Sequence, residues 1–456
     1  PSRQRNRRTG RRSVSRRGAG LLGVMLFASG CAYYNVIYNA ERSYDEAEAH
    51  RRAGRDSLAS QSYRDVVRKA ARGYRSDPEG EWGDDALFLL GRARLRLGEI
   101  RAARAALKEA AERSERADTR FAVLVYLALA EAESGNSEAA LPLIERALSG
   151  LTVGPALAEA HLLRGQVLLS QGAAGNGWAD LDRAQELDAV VRVEAALTQL
   201  RWAIHYDERA RAGDAFTQLL SYSEAGQRLD TVVALANRAA QQWSPGEAAR
   251  LLAGADIARW GRVGRGRIAL GRARLFHRAG DTAAANATAW KVLRGVGVVA
   301  AEARVQIARW RLELAYDLAE LEQVEEILLP AEEHQGVAPL LDALGTLEDF
   351  TSVGLTDPLG WFAAAEIARD DLEALPLARG LFLAYADADP DDPWVPKALL
   401  AALTVASDDS DRAWLLGRLE THAASPYVLA ARGASAPGFE ALEEGLALRL
   451  MEIKNR

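Results

Sequence analysis

Residues 84–110 read DDALFLLGRARLRLGEIRAARAALKEA, and the reading of this stretch decides the fold. Leu87, Leu90 and Gly91 share one face of a helix, Gly98 interrupts it, and Ala103, Leu107 and Ala110 line a returning helix. Residues 121–148, FAVLVYLALAEAESGNSEAALPLIERAL, repeat the arrangement with Leu124, Leu127 and Ala128, a break at Gly135, then Ala140, Ile144 and Ala147. A third copy places Gly165, Gly172, Leu181 and Ala184 in the same order. The breaks at Gly98, Gly135 and Gly172 are spaced 37 residues apart.

Two helices joined by a short turn approach closely only where Gly or Ala replaces a bulky side chain, so small and large positions alternate along the seam. One such hairpin cannot hide its apolar side. Stacked copies bury it against each other, which predicts an all-α fold: an α-solenoid of helical hairpins, in one array or in two joined by an irregular segment.

The pattern resembles the tetratricopeptide repeat, whose pitch is about 34 residues. The family's small first-helix residue is matched by Gly91, Ala128 and Gly165, and its turn glycine by Gly98, Gly135 and Gly172. Ala103 and Ala140 match its second-helix alanine; Gly177 replaces it in the third copy, where looser packing is expected. The family's aromatic positions are mostly aliphatic here. In that family the first helix of each hairpin lines a concave groove. The resemblance therefore implies a peptide groove built from Phe88, Arg92, Leu95, Val125, Leu129, Leu162, Gln166 and Leu169, with Arg267, Arg274 and Arg278 as a basic stripe on a later helix. Such a stripe suits the carboxylates of an extended peptide.

Composition sets the class of partner. Hydrophobic residues make up 49% and charged residues 26% of the 456, a globular balance. The net charge of -6 hides an asymmetry, because residues 1–30 hold eight Arg and no acid, leaving 49 basic against 63 acidic residues in the rest. A body that acidic argues against nucleic acid as a partner, since phosphate-backbone affinity comes mainly from Lys and Arg.

Residues 1–30 combine a cationic start, the apolar run AGLLGVMLFA and small residues before Cys31, the pattern of an export signal too short to span a bilayer. Ala28-Ser29-Gly30-Cys31 resembles the lipobox of bacterial lipoproteins, with Ala28 where the family usually has Leu. That resemblance implies lipid attachment at Cys31 and an outer-membrane, periplasm-facing location. Tyr33, Tyr34 and Tyr38 open the following stretch, and Tyr38, Ala40, Tyr44 and Ala47 fall at helical spacing, with Gly54, Ala59 and Tyr63 fitting a hairpin. This opening resembles that of tetratricopeptide lipoproteins, where a short anchor leads directly into repeats.

The chain divides into an export signal (1–30), a lipid-anchored segment with the first hairpin (31–80), a regular array (81–187), degenerate helical repeats with turns at Gly213 and Gly246 (188–265), further hairpins around Gly280 (266–333), a linker or loop (334–360), C-terminal hairpins (361–433) and a capping helix (434–456). Residues 392–433, with Pro-Trp and Ser-Pro-Tyr junctions, resemble the closing repeats of the BamD-type outer-membrane assembly lipoproteins.

No chemistry-bearing motif stands out. His50, His161, His205, His277, His334 and His422 are scattered without metal spacing, and HExxH, GxSxG, SxxK and Walker patterns are absent. Gly261-Arg-Val-Gly264-Arg-Gly266 lacks the preceding strand that a nucleotide loop requires. Asp370-Asp371, Asp391-Asp392 and Asp408-Asp409 fall at predicted turns, where helix capping accounts for them. The expectation is a non-catalytic scaffold without cofactor, metal or small-molecule substrate, binding other proteins or extended peptides and held to the membrane by its N-terminal lipid. A role in outer-membrane or envelope complex assembly is the nearest family analogy. Regulation of a peptidoglycan or envelope polysaccharide synthase is the alternative, and an enzyme with a cleft in 188–265 or 334–360 a third.

Overall fold

The computed structural model describes residues 36–80, 82–254, 259–295 and 297–454. The segment expected as an export signal, Cys31, expected as a lipid acceptor, and Tyr33 and Tyr34 lie outside the described residues. The chain forms two compact units, Pro1–Trp243 with Ala253–Gly261, and Ser244–Leu252 with Arg262–Arg456. Among the described residues there is no strand, and no helix is long and apolar enough to cross a membrane.

The first unit runs through α1 (described over 36–52), α2 (Asp56–Ser76), α3 (Gly83–Arg96), α4 (Ile100–Arg113), α5 (Ala117–Glu133), α6 (Ser137–Leu148), α7 (Pro155–Ser170), α8 (Ala174–Leu187), α9 (Arg192–His205), α10 (Arg209–Ser221) and α11 (Leu229–Gln242). Helices α3 and α4, α5 and α6, α7 and α8, and α9 and α10 pack as successive pairs, and α3, α5, α7 and α9 also touch one another in turn. This is the hairpin stack that the small-residue pattern predicts.

One turn recurs at the hairpin tips. A left-handed residue ends the first helix, and the residue after it donates its N–H back to a carbonyl five positions earlier: Glu99 to Arg94 at 2.9 Å, Asn136 to Glu131 at 2.9 Å, Ala173 to Leu168 at 2.9 Å. That bond satisfies one of the carbonyls a helix end leaves open. Between α9 and α10 the left-handed position is Asp207, with φ 61°, and Glu208 donates to Ala203 at 2.8 Å. Asp tolerates this conformation better than most side chains do. The turn expected at Gly213 therefore lies earlier, and Gly213 sits inside α10.

The third hairpin is not looser than the others. A Cβ on Gly165 would lie 2.9 Å from the Gly177 carbonyl oxygen, and one on Gly177 would lie 2.7 Å from Leu169 Cγ. Replacing alanine by glycine lets the two backbones come closer instead of leaving a gap. A polar staple reinforces the pair: Asp180 of α8, 5% exposed, accepts from Arg164 Nε and Nη2 of α7 at 2.7 Å each and faces His161 Nδ1 at 2.8 Å.

The second unit runs through α12 (Pro245–Leu251), α13 (Gly261–Arg278), α14 (Thr282–Leu293), α15 (Val298–Leu312), α16 (Ala319–Leu328), α17 (Ala338–Gly354), α18 (Leu359–Asp370), α19 (Leu375–Ala388), α20 (Val395–Thr404), α21 (Asp409–Glu420), α22 (Pro426–Ala431) and α23 (Phe439–Lys454). Gly246, expected at a turn, lies within α12. The stretch 334–360, expected as a linker or loop, instead holds α17. Leu340, Ala343, Leu344, Leu347 and Thr351 give it a buried face at helical spacing. Two of its apparent turn signals serve packing: a Cβ on Gly360 would come within 2.6 Å of the Phe350 carbonyl oxygen, and one on Gly354 within 2.8 Å of the Trp361 ring. Glycine here allows α17 and α18 to cross closely. The paired acids near the C-terminus act locally. Asp408 accepts from the Asp411 N–H at 2.8 Å as an N-cap, and Asp392 accepts from the Tyr385 hydroxyl at 2.6 Å and the Trp394 N–H at 2.9 Å.

Candidate functional site: a concave cavity in the first unit

Gly91 and Gly165 face the second helices of their own hairpins, and Ala128 at the equivalent position is fully buried. The residue after each, Arg92, Leu129 and Gln166, is turned about 100° away from that seam. So are Val125 and Leu162, one helical turn earlier. These side chains of α3, α5 and α7 line a cavity of about 380 Å³ together with Tyr44, Asp45, Glu48, Arg51 and Arg52 of α1 and Val190, Val191 and Glu194 at the start of α9. First helices of consecutive hairpins thus supply its wall, and α1 closes one side.

The first hairpin also meets the far end of the unit. A Cβ on Gly54, at the tip between α1 and α2, would lie 3.2 Å from the Gln227 carbonyl oxygen. Arg51, Arg52, Val190 and Glu194 border both this cavity and a neighbouring one reaching Glu224 and Arg228. The array curves enough to bring its beginning against its fifth hairpin and the turn that follows it.

Arg92 is the centre of the cavity's chemistry. Its guanidinium carbon lies 3.9 Å from the Tyr44 ring centroid, 4.7 Å from Tyr126 and 5.0 Å from Phe88. Phe88 and Tyr126 meet edge to face at 5.5 Å. Among the described residues no carboxylate approaches Arg92 within ion-pair distance, and its buried Nε has no hydrogen-bond partner. Aromatic rings engage the flat faces of a guanidinium and satisfy none of its N–H donors. Against the cost of burial its pKa is raised, in part by Glu159, which also lines the cavity and acts through space without an ion pair. The buried Tyr44 hydroxyl also lacks a partner.

Next to it stands a closed ion cluster. Glu48, 8% exposed, accepts from Arg51 Nη2 at 2.8 Å, Arg96 Nε at 3.0 Å and the Tyr63 hydroxyl at 2.6 Å. Burial pushes its carboxyl up, but the Arg96 and Arg51 charges and their hydrogen bonds outweigh that and bring it down to about 2. Glu48 therefore stays ionised and is the shared partner of Arg51 and Arg96. Arg92 is left as the cavity's arginine without such a partner on α3.

Of the residues expected in a groove, Arg92, Val125, Leu129, Leu162 and Gln166 border this cavity, and Phe88 stands behind Arg92. Leu95 and Leu169, 4% and 0% exposed, are core residues. Three positions beyond Arg92 and Gln166 the helix has turned them towards adjacent helices, and the Tyr206 hydroxyl donates to the Leu169 carbonyl. Arg267, Arg274 and Arg278 are exposed on α13 in the second unit, where Arg274 Nε donates to Gln306 Oε1 at 2.7 Å. Sequence reasoning missed Tyr44, Glu48, Tyr126 and Arg96. Tyr44, Glu48 and Arg51 do share one face of α1 at four- and three-residue spacing, and that signal was available. Among the described residues no cluster of His, Cys, Asp and Glu is arranged to hold a metal ion.

The described residues define an all-α protein of tetratricopeptide-like hairpins with a cavity walled by their first helices. No protein-family model matches the sequence, and no curated protein does. Among solved structures the chain is similar to a tetratricopeptide repeat protein from Parabacteroides merdae, with 17% identity and TM-score 0.32, over 56% of this chain and 91% of that one. It is also similar to human IFIT1, solved as a dimer with PPP-AAAA, with 13% identity and TM-score 0.28, over 80% and 71% of the two chains. A third is the APC/C hetero-tetramer Cut9-Hcn1, with 13% identity and TM-score 0.24, over 80% and 94%. The fold assignment rests on the hairpins themselves.

Proposed function

We propose that the protein is a non-catalytic interaction scaffold whose first unit takes a polypeptide segment in the concave cavity, a carboxylate of that segment meeting Arg92. One observation carries the reading: a guanidinium held between three aromatic rings, bordering a cavity, with no carboxylate partner among the described residues. A planar carboxylate suits the N–H edge of a guanidinium whose flat faces are taken by rings, and Val125, Leu129 and Leu162 offer apolar surface beside it.

We further propose that the mature chain starts at Cys31, carries lipid there and works at the periplasmic face of the outer membrane in assembling envelope complexes. The support is the cationic and apolar segment before Ala28-Ser29-Gly30-Cys31 and the BamD-like closing repeats. Attached acyl chains contribute about 0.8 kcal/mol per buried CH₂, so several of them hold a protein stably at a bilayer.

The test is crosslinking in cells from a photoreactive residue at Gln166, in the cavity, compared with one at Lys108, exposed on α4. The reading expects specific partners captured from position 166 and their loss on Arg92→Gln. Barrel-assembly components among them support the assembly role; a synthase transfers the function to the regulatory alternative. Equal capture from both positions refutes the cavity. Cys31→Ala is expected to release the protein into the soluble periplasmic fraction, and retention with membranes refutes the anchor.

A further inference from the structure

The second unit carries a surface of different chemistry. From 312 to 368 the sequence has 13 Asp and Glu and no Lys or Arg, its longest stretch without such a base. Helices α16 and α17 and most of α18 come from this stretch. Between them lies an open cavity of about 550 Å³ with an apolar floor of Leu321, Leu344, Leu347 and Trp361. Leu318 and Leu355, 36% and 78% exposed, extend that apolar surface to the rim, and the loop entering α16 exposes Leu314 and Tyr316.

Glu322 and Glu325 of α16 and Glu348 of α17 stand exposed around this floor. Among the described residues none of the three has a Lys or Arg nitrogen within ion-pair distance. The acids of the stretch that do pair are others: Glu313 with His277 at 3.3 Å and Asp357 with Arg449 at 3.1 Å. Arg311, the nearest base in sequence, donates to the Gln323 side-chain amide at 2.6 Å and not to a rim carboxylate. Carboxylates on both helices around an apolar floor repel an acidic segment. They attract one that presents ammonium or guanidinium groups beside an apolar side chain.

We propose that this groove docks a cationic amphipathic segment of another protein, its Lys or Arg side chains meeting Glu322, Glu325 and Glu348 while a Leu-type side chain covers Leu318, Leu344 and Leu355. The occupant follows from charge complementarity, and the proposal stands apart from the reading of the first-unit cavity.

The experiment uses the full chain and labelled synthetic peptides: a Lys/Leu amphipathic helix, its Glu/Leu counterpart, and the chain's own residues 1–30. Anisotropy is expected to show saturable binding of the Lys/Leu helix that weakens as salt rises, with the Glu/Leu helix inert. Combined Glu322→Lys, Glu325→Lys and Glu348→Lys should weaken that binding by roughly tenfold or more, and Leu355→Asp should weaken it separately. Unaltered circular dichroism of each variant shows that the fold survives, and Glu→Gln at the same three positions provides a milder version. The proposal is overturned by equal binding of the Glu/Leu helix or by unchanged affinity of the triple variant. It is also overturned by binding of residues 1–30 alone, or by self-association that Leu355→Asp abolishes without any binding of the Lys/Leu helix.

Discussion

Replacing Glu48 by Gln removes the charge on which Arg51, Arg96 and Tyr63 converge, and the structure sets the size of the effect. The carboxyl falls from an ordinary 4.5 to about 2 in the folded chain. That difference corresponds to about 3 kcal/mol of stability at pH 7. A folded value below the unfolded one means that the contribution is complete above pH 4.5 and is lost as pH falls towards 2. At pH 3 about 1.5 kcal/mol of it remains. Arg96 and Arg51 are 20% and 29% exposed, so water partly solvates them in the variant and the cost should fall somewhat below the full value. Hydrogen exchange on the intact chain reads this locally. Amides of α1, α2 and α3 should lose about 2–3 kcal/mol of protection at neutral pH and distinctly less at pH 3, while amides of α17 to α19 stay unchanged. Wild-type protection of α1 to α3 at neutral pH, or a deficit of the same size at pH 3, refutes the assignment of Glu48 as the ionised centre.

Gly91→Ala would put a methyl group 2.5 Å from Cγ of the fully buried Leu107, and a urea titration should show a loss of about 1–3 kcal/mol. Gly98→Ala meets open space but sits at φ 76°, so its expected loss is nearer 1 kcal/mol. Asp180→Asn breaks the α7–α8 staple and leaves Arg164 and His161 without their carboxylate; about 3 kcal/mol of protection should disappear from these two helices in hydrogen exchange. Arg274→Glu with Arg278→Glu, both exposed on α13, breaks the Arg274–Gln306 bond and should cost about 1 kcal/mol or less with the circular dichroism unaltered, while a pull-down should show partner capture fall if the stripe binds peptide carboxylates.

The hairpin stack was legible because its cause is local. Gly98, Gly135 and Gly172 supply left-handed turns, and Gly91 and Gly165 supply close approaches that no larger side chain permits, so the spacing is written directly in residue types. Where another residue adopts the same conformation the signal disappears: Asp207 ends α9, and sequence reasoning placed that turn at Gly213. The same ambiguity turned α17 into an expected loop, because glycine used for a helix crossing at Gly354 and Gly360 looks in sequence like glycine used for a turn.

The groove was legible in part, through positions that recur one residue after each small one. Arg92, Leu129 and Gln166 border the cavity for that reason. The cage around Arg92 was not legible, because Tyr44, Phe88 and Tyr126 come from three different hairpins, and only the curvature of the stack determines which rings meet. Sequence alone determined an all-α array of short paired helices, since backbone conformation and the seam of each pair depend on neighbours a few residues away. Tertiary structure alone decided that Gly54 abuts Gln227, that Arg96 rather than Arg92 donates to Glu48, and that Arg92 keeps its charge without a carboxylate within ion-pair distance. Small rotations between hairpins add up over the array, and contacts between distant hairpins depend on their sum.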